Sequence, residues 1–429
     1  AHRGGLRLTT INWHLTAEEA GYIANDCGAR VLVADARFAA VATATAAHMP
    51  PGTILLAAGG DIAGFESFEA FLAGHAGTDI DDPVLGSSML YTSGTTGRPK
   101  GVHRAEQARV TAASLAIYGY RSGDVHLCTG PLYHAAPLAF SLAAPLNAGV
   151  GVVLMDSWNP EDALRLIAEH RVTHTHMVPF MFHRLLALPA AARTAHDVSS
   201  IRQILHGAAP CPVSVKQAII DWFGPVVVEY YAATEGLGTL VDSAAWLERP
   251  GTVGRPILPG GVIVGDEAGE PLPPGETGLV YIKAPSVGRF EYFGDPAKTS
   301  SAYRGDYFTL GDVGRIDDDG FLFLTDRSAN LIISGGVNIY PAEVDAVLLT
   351  HPAVADVATI GVPDEEWGAS VLAVVERQPG VEATPDELIG FCRERLAAFK
   401  CPRAVDFVDH LPRDENGKLY KRRLRDAYR

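Results

Sequence analysis

Apolar and polar positions alternate along the chain in two rhythms. In "LTAEEAGYIANDCG" they follow a helical period: Thr16 is placed to cap, Glu19 follows three residues later, and Gly28 supplies a stop. "ARVLVAD" then reads as a short buried strand. The same helix–turn–strand alternation returns at "DALRLIAEHRVTHTHMVP" and "SVKQAIIDWFGPVVVEYY", and "GVGVVLM" (149–155) reads as another buried strand. Helices alternating with short apolar strands predict a parallel α/β sheet.

The rhythm changes near residue 250, where Gly and Pro become frequent in "RPGTVGRPILPGG" and "GEPLPPGETGLVYIKAP". Short strands separated by turn residues follow as far as "GFLFLTDR", which predicts a small β-rich part over about 250–328. Beyond Arg327, strand and helix alternate again. A helix is predicted to start at Pro341, and another is capped by Thr384 with Pro385 at its first position. The predicted fold is α/β: a large N-terminal domain (1–328) of α/β subdomains plus the β-rich part, then a smaller α+β C-terminal domain (329–429). No internal repeat or low-complexity tract interrupts it.

Composition narrows the picture. A chain of 429 residues with 47% hydrophobic content is too long for one ordinary domain and can bury a large core. A net charge of −15 excludes general nucleic-acid binding, which needs a basic footprint. Anionic ligands are still allowed, since local cations and backbone amides can hold them. Cys27, Cys128, Cys211, Cys392 and Cys401 are odd in number and scattered, which argues against a disulfide framework or zinc site and for a reducing, cytoplasmic setting. No apolar run has the length of a membrane span, and nothing at the start reads as a signal peptide. The sequence opens abruptly on Ala1, and earlier residues are expected to exist.

The densest chemical signal is "LYTSGTTGRPKGV". It packs Thr92, Ser93, Gly94, Thr95, Thr96, Gly97 and Lys100 into one loop after an apolar strand. Glycines let backbone approach an anion, hydroxyls and amides donate to phosphate oxygens, and a lysine adds a point charge. A P-loop reading fails, because Pro99 precedes Lys100 and Gly101-Val102 follow, where that motif needs Gly-Lys-Ser/Thr opening a helix.

"YTSGTTGRPKG" closely resembles the phosphate-loop signature of the adenylate-forming superfamily of acyl-CoA synthetases, firefly luciferase and peptide-synthetase adenylation domains. Further motifs in the family's order extend the resemblance over nearly all the chain. "HGAAP" (206–210) resembles the adenine-side loop, with Gly207, Ala208 and Ala209 as a backbone wall. In "EYYAATEG" the resemblance implies that Tyr231 stacks on adenine, Thr234 contacts the α-phosphate and Glu235 holds Mg²⁺. The chain has Ala232 where the family often has Gly. Asp312 resembles the aspartate that accepts both ribose hydroxyls, and Arg327 the arginine near the ribose at the domain junction. The hinge position two residues after that arginine is Ala329 rather than Asp or Lys.

"SGGVNIYPAEVD" resembles the loop that enters the site for thioester formation, where Gly335 and Gly336 would let pantetheine pass. "LPRDENGKLYKRRLR" matches the terminal lysine motif. Alone, Lys418 reads as a solvated lysine in a basic tail; with its preceding glycine and the upstream motifs it becomes the lysine of the adenylation step. His134 in "PLYHAAP" and Gly236 lie where the family keeps its acyl site. His174 and His176 alternate along a strand and read as packing residues rather than metal ligands, for want of a third ligand. Asp317 to Asp319 before Gly320 read as a hairpin turn, because Arg315 breaks a calcium-loop spacing.

The resemblance implies an AMP-forming acid–thiol ligase that takes a carboxylic acid, ATP and CoA, with Mg²⁺. A pocket near His134, Met177 to Met181, Gly207 and Gly236 to Leu240 is expected to be apolar and to suit a fatty, aryl or steroid-type acid. The alternatives are an adenylation domain loading a carrier protein, a luciferase-like enzyme, and a non-catalytic nucleotide-binding protein. Partners are then small molecules, with membrane contact no more than peripheral and room for a homodimer.

Overall fold

The computed structural model describes residues 1–92, 99–105, 115–327, 330–334, 337–364, 368–413 and 419–428. The chain forms two compact units. One comprises Ala1–Arg109, Leu132–Ala135 and Pro285–Ser301; the other comprises Val110–Pro131, Ala136–Ala284 and Ala302–Arg429. The fold is mixed α/β, as expected.

In the first unit, helix Ala17–Asp26 begins with the expected capping box, in which Thr16 and Glu19 satisfy each other's backbone N–H groups. Gly28 follows at φ 65°, a conformation that costs glycine little. Strand Val31–Asp35 pairs in parallel with Ile54–Ala58. It lies at the edge of a three-stranded sheet, and Val31 and Val33 are exposed. The expectation of a buried strand there is corrected: an apolar run signals strand, but only its place in the sheet decides burial. Leu90–Thr92 and Lys100–Arg104 form an antiparallel pair, with Thr92 opposite Lys100. Ser93, Gly94, Thr95, Thr96 and Gly97 of the phosphate-loop motif lie outside the described residues.

In the second unit, a seven-stranded sheet runs in the order Arg255–Pro256, Gly236–Val241, Val227–Ala233, Gln203–His206, His174–Met177, Val125–Cys128, Gly151–Leu154. The five strands from Val227–Ala233 to Gly151–Leu154 are parallel. Gly151–Leu154 is at the edge with Leu154 exposed, so the reading of 149–155 as a buried strand is likewise corrected. Helices Pro160–His170, Pro179–Leu186 and Val213–Phe223 bury Leu164, Ile167, Phe182 and Ile219 against Leu127, Met177, Ile204 and Val227. Met177 and Met181 belong to this core, and Met177 has no exposure. They fill helix–sheet space, so they do not serve as the pocket lining expected of them.

The β-rich part is a five-stranded sheet built on Gly278–Lys283 and Tyr307–Ile316. Its last hairpin turns at Asp317 to Gly320, as expected. Gly320 donates to the Asp317 carbonyl at 2.9 Å and takes φ 82°. The C-terminal residues form a sheet of Val354–Asp364, Gly368–Arg377 and Ala404–Val408. Helices Pro341–Leu348 and Pro385–Arg393 cover it through Val344, Leu348, Leu388 and Cys392. Both helices start where the sequence placed them, the second with Thr384 accepting from the Glu387 N–H.

Candidate functional site

Gln203–His206 and Val227–Ala233 are adjacent parallel strands of the seven-stranded sheet; His206 stands opposite Glu229, so the second strand runs on past the end of the first to Ala233. In open α/β sheets the carboxyl ends of the strands are where ligands bind. Gly207, Ala208 and Ala209 leave the first strand. Thr234 and Glu235 leave the second, as the two residues of a tight turn into Gly236–Val241, with Ala233 paired to Gly236.

Two of these positions have a steric reason for their glycine. A Cβ on Gly207 would stand 2.5 Å from the Tyr230 carbonyl oxygen and 2.8 Å from its ring, so only glycine passes. A Cβ on Gly236 would stand 2.9 Å from the Phe308 ring. Ala208 takes φ 68°, one of two left-handed non-glycine residues among those described. Such strain gathers at functional sites, where surrounding structure must enforce it. Glu235 is buried, leaving 7% exposed at the turn.

Tyr231 and Asp312, 81 residues apart, are brought together: the Tyr231 hydroxyl donates to Asp312 Oδ2 at 2.7 Å. Both are buried. Asp312 stands directly opposite Arg327 across the antiparallel pair Tyr307–Ile316 and Leu322–Arg327. The second unit therefore carries Gly207, Ala208 and Ala209 after one strand, Thr234, Glu235 and Gly236 at the turn that ends its neighbour, and Tyr231 bonded to Asp312. In the first unit, Lys100 Nζ lies 4.0 Å from Asp295 Oδ2 and 5.6 Å from the centre of the Tyr292 ring. Burial and the neighbouring Lys298 hold its ammonium below the usual lysine range. His134 is in the same unit, its ring 4.7 Å from that of Tyr133. Gly335, Gly336, Lys418 and Ala329 lie outside the described residues, as does the side chain of Arg327.

His174 and His176 do pack, each with a specific partner. His174 Nε2 meets the Tyr118 carbonyl at 2.8 Å, and His176 Nε2 meets the Tyr230 hydroxyl at 2.8 Å.

The AMP-binding enzyme family matches residues 1–290, and the AMP-binding enzyme C-terminal domain matches residues 343–418. The chain belongs to the AMP-binding enzyme family. Its adenylate-forming resemblance and its division into a large N-terminal and a smaller C-terminal domain are thereby borne out. Among the relatives, a fatty acid–[acyl-carrier-protein] ligase, ScoC, of Streptomyces coeruleorubidus is 34% identical over 99% of this chain and 83% of that protein. A feruloyl-CoA synthase of an Amycolatopsis species is 35% identical over 99% of this chain and 84% of its own. Among solved structures, the o-succinylbenzoate CoA synthetase of Bacillus subtilis, in complex with the acyl-adenylate intermediate OSB-AMP, superimposes with a TM-score of 0.80. It is 28% identical over 98% of this chain and 83% of that one.

The resemblance of the loop motifs implies Mg²⁺ beside the nucleotide. Glu235 and Thr234 present hard oxygens at one turn, which suit Mg²⁺. No group of three or more His, Cys, Asp or Glu side chains among the described residues could hold a metal. Thr234 and Glu235 would leave such an ion to take its other ligands from phosphates and water, as Mg²⁺ commonly does. No helix among the described residues is long and apolar enough to cross a membrane.

Sequence reasoning missed a buried charge cluster beneath this family site. Lys216 Nζ meets Glu229 Oε2 at 2.6 Å, with Lys216 fully buried and Glu229 nearly so. Burial pushes the Glu229 carboxyl up and the Lys216 ammonium down, and each charge is held by the other. His206 lies beside them, with Nε2 3.7 Å from Glu229 Oε2. The signal was present in two charges of opposite sign set inside apolar elements, "VSVKQAII" and "VVVEYY".

Proposed function

We propose that this chain is an AMP-forming acid–thiol ligase that activates a fatty or aryl carboxylic acid with ATP and passes the acyl group to CoA. The observation that carries the reading is the site at the two strand ends: the Gly207–Ala209 bend, the Thr234–Glu235 turn and the Tyr231–Asp312 hydrogen bond. It supplies an aromatic face and a carboxylate for a nucleoside, and hydroxyl and carboxylate oxygens for the phosphate end. The relatives' activities support the same reading.

In the first half-reaction the acid's carboxylate oxygen attacks the α-phosphorus of ATP, the bond to the bridging oxygen breaks, and pyrophosphate leaves. A carboxylate oxygen is a poor leaving group and AMP is a good one, so the acyl-adenylate is primed for a thiol. In the reading proposed here, Tyr231 and Asp312 orient the nucleoside and Thr234 donates to the α-phosphate. Residues 92–100 hold the β- and γ-phosphates, and Lys418 offsets charge between acid and phosphate as they approach. When bound at Glu235, Mg²⁺ supplies further neutralisation of the phosphates. In the second half-reaction the domain of residues 329–429 rotates about the position of Ala329, withdraws Lys418 and presents Gly335 and Gly336 to the pantetheine thiol. The thiol adds to the acyl carbon, AMP leaves and a proton is released.

The similarity to an acyl-carrier-protein ligase favours one second reading, in which the acceptor thiol belongs to a carrier protein. The test is acid-dependent ATP–pyrophosphate exchange with fatty and aryl acids, followed by thioester detection with CoA and with a phosphopantetheinylated carrier. Acid-dependent exchange followed by acyl-CoA is the expected result. Exchange with thioester formed only on the carrier would replace CoA as acceptor, and no exchange with any acid would remove the ligase reading. Lys418→Ala should abolish acyl-AMP formation; undiminished formation would remove that lysine from the chemistry.

A further inference from the structure

A buried ion pair is a poor way to stabilise a fold. Two charges lose their hydration, and apolar residues of similar volume usually serve as well or better. Lys216 and Glu229 nevertheless meet at 2.6 Å in the interior, with Lys216 Nζ also 4.7 Å from the centre of the Trp246 ring. Their position is informative. Lys216 is in the first turn or so of helix Val213–Phe223, which follows directly on the loop starting at Gly207. Glu229 is on Val227–Ala233, two residues before Tyr231. His206 is the last residue of its strand, directly before Gly207, and is opposite Glu229 in the parallel register.

The three side chains thus mark both ends of the strained loop and the strand that carries Tyr231. Neither ring nitrogen of the buried His206 has a hydrogen-bond partner among the described residues. The ring packs against Phe182 at 5.0 Å, and burial and Lys216 hold it neutral, far below the usual histidine range. A neutral ring beside the carboxylate leaves Lys216 as the cation that holds Glu229.

We propose that the Lys216–Glu229 pair, with His206 beside it, is a positioning element for the nucleotide. It ties the helix after the 207–212 loop to the strand beneath Tyr231, and so keeps Ala208 in its left-handed conformation and the Tyr231 ring in place. The proposal rests on the nucleotide role of this loop and of Tyr231. It separates a positioning role from a structural one, because the two predict different behaviour when both charges are removed together.

The test is Lys216→Met combined with Glu229→Met in the full chain, which replaces the pair by unbranched apolar side chains of similar length. Single variants strand one buried charge and act through folding, so the double variant carries the test. Three readings are taken: thermal midpoint, AMP affinity by calorimetry, and the KM values for ATP and CoA. The double variant is expected to fold with a midpoint near that of the native chain. AMP affinity should weaken, and KM for ATP should rise about tenfold, as misplacement at an otherwise intact site demands, with KM for CoA within about twofold of native. AMP affinity and KM for ATP that match the native chain would overturn the proposal. A double variant that fails to fold would overturn it as well, since the pair would then serve the fold. A native chain that binds no AMP and forms no acyl-AMP would instead remove the functional reading on which the proposal stands.

Discussion

Gly207→Ala is the sharpest probe of the loop, because it adds one methyl group where the structure leaves no room. The new Cβ would lie 2.5 Å from the Tyr230 carbonyl oxygen, and ordinary contact begins at 3.4 Å, so about 0.9 Å (3.4 − 2.5) must be found. The obstacle is backbone, not the end of a flexible chain. The Tyr230 ring, 2.8 Å from the same Cβ, is also fixed: its hydroxyl meets His176 Nε2 at 2.8 Å, and it forms a T-shaped pair with Phe140 at 4.9 Å between centres. Overpacking of this kind costs about 1–3 kcal/mol. In a domain of more than about 250 residues that lowers the thermal midpoint by roughly 1–2 °C for each kcal/mol. The loop also carries the proposed adenine wall, so KM for ATP should rise in the same variant. Gly151→Ala is the matched control, since its Cβ would meet nothing within 4 Å and it should shift stability by less than about 0.5 kcal/mol. Thermal unfolding and ATP–pyrophosphate exchange read both variants. Equal midpoints and equal KM values for the two would refute the reasoning.

Tyr231→Phe removes the hydroxyl that donates to buried Asp312 at 2.7 Å. A hydrogen bond to a charged group contributes about 1.5–3 kcal/mol, so the variant should lose stability and bind AMP more weakly; unchanged affinity by calorimetry would detach this contact from the nucleotide. Acid should destabilise the fold through His126 and His176, whose imidazoles burial pushes down from 6.5 to about 3 and about 4. Folded values below unfolded ones mean that this stability is complete above pH 6.5 and is lost as pH falls toward those values. Each histidine contributes roughly 1.4 kcal/mol per pH unit within its window, so the urea midpoint should drop between about pH 7 and about pH 5; a constant or rising midpoint contradicts the burial argument. Thr16→Ala removes the capping-box hydroxyl that accepts from the Glu19 N–H at 3.3 Å, at a cost of about 1 kcal/mol. Hydrogen exchange should then quicken in Ala17–Asp26, and equal protection in both proteins would show the cap to be idle.

The sequence by itself determined whatever depends on near neighbours. Thr16 with Glu19, Thr384 with Pro385, Pro341 at a helix start and Asp317 to Gly320 at a turn could be read because caps and turns are set within a few residues. The order of helices and strands was legible for the same reason, and the loop motifs announced a nucleotide through their residue types. Tertiary structure decided which strands are buried. "ARVLVAD" and "GVGVVLM" have the apolar content of core strands, yet both ended at sheet edges, because burial belongs to a strand's neighbours and not to its composition. It also decided which distant polar groups meet. Tyr231 reaches Asp312 across 81 residues, and Lys216 reaches Glu229 from a different element. Such pairs depend on register and on the packing of helix on sheet, which no local pattern encodes. Met177 and Met181 became core rather than pocket by the same logic: an apolar side chain serves either purpose, and only the presence of Leu164, Ile167 and Phe182 around them settles which.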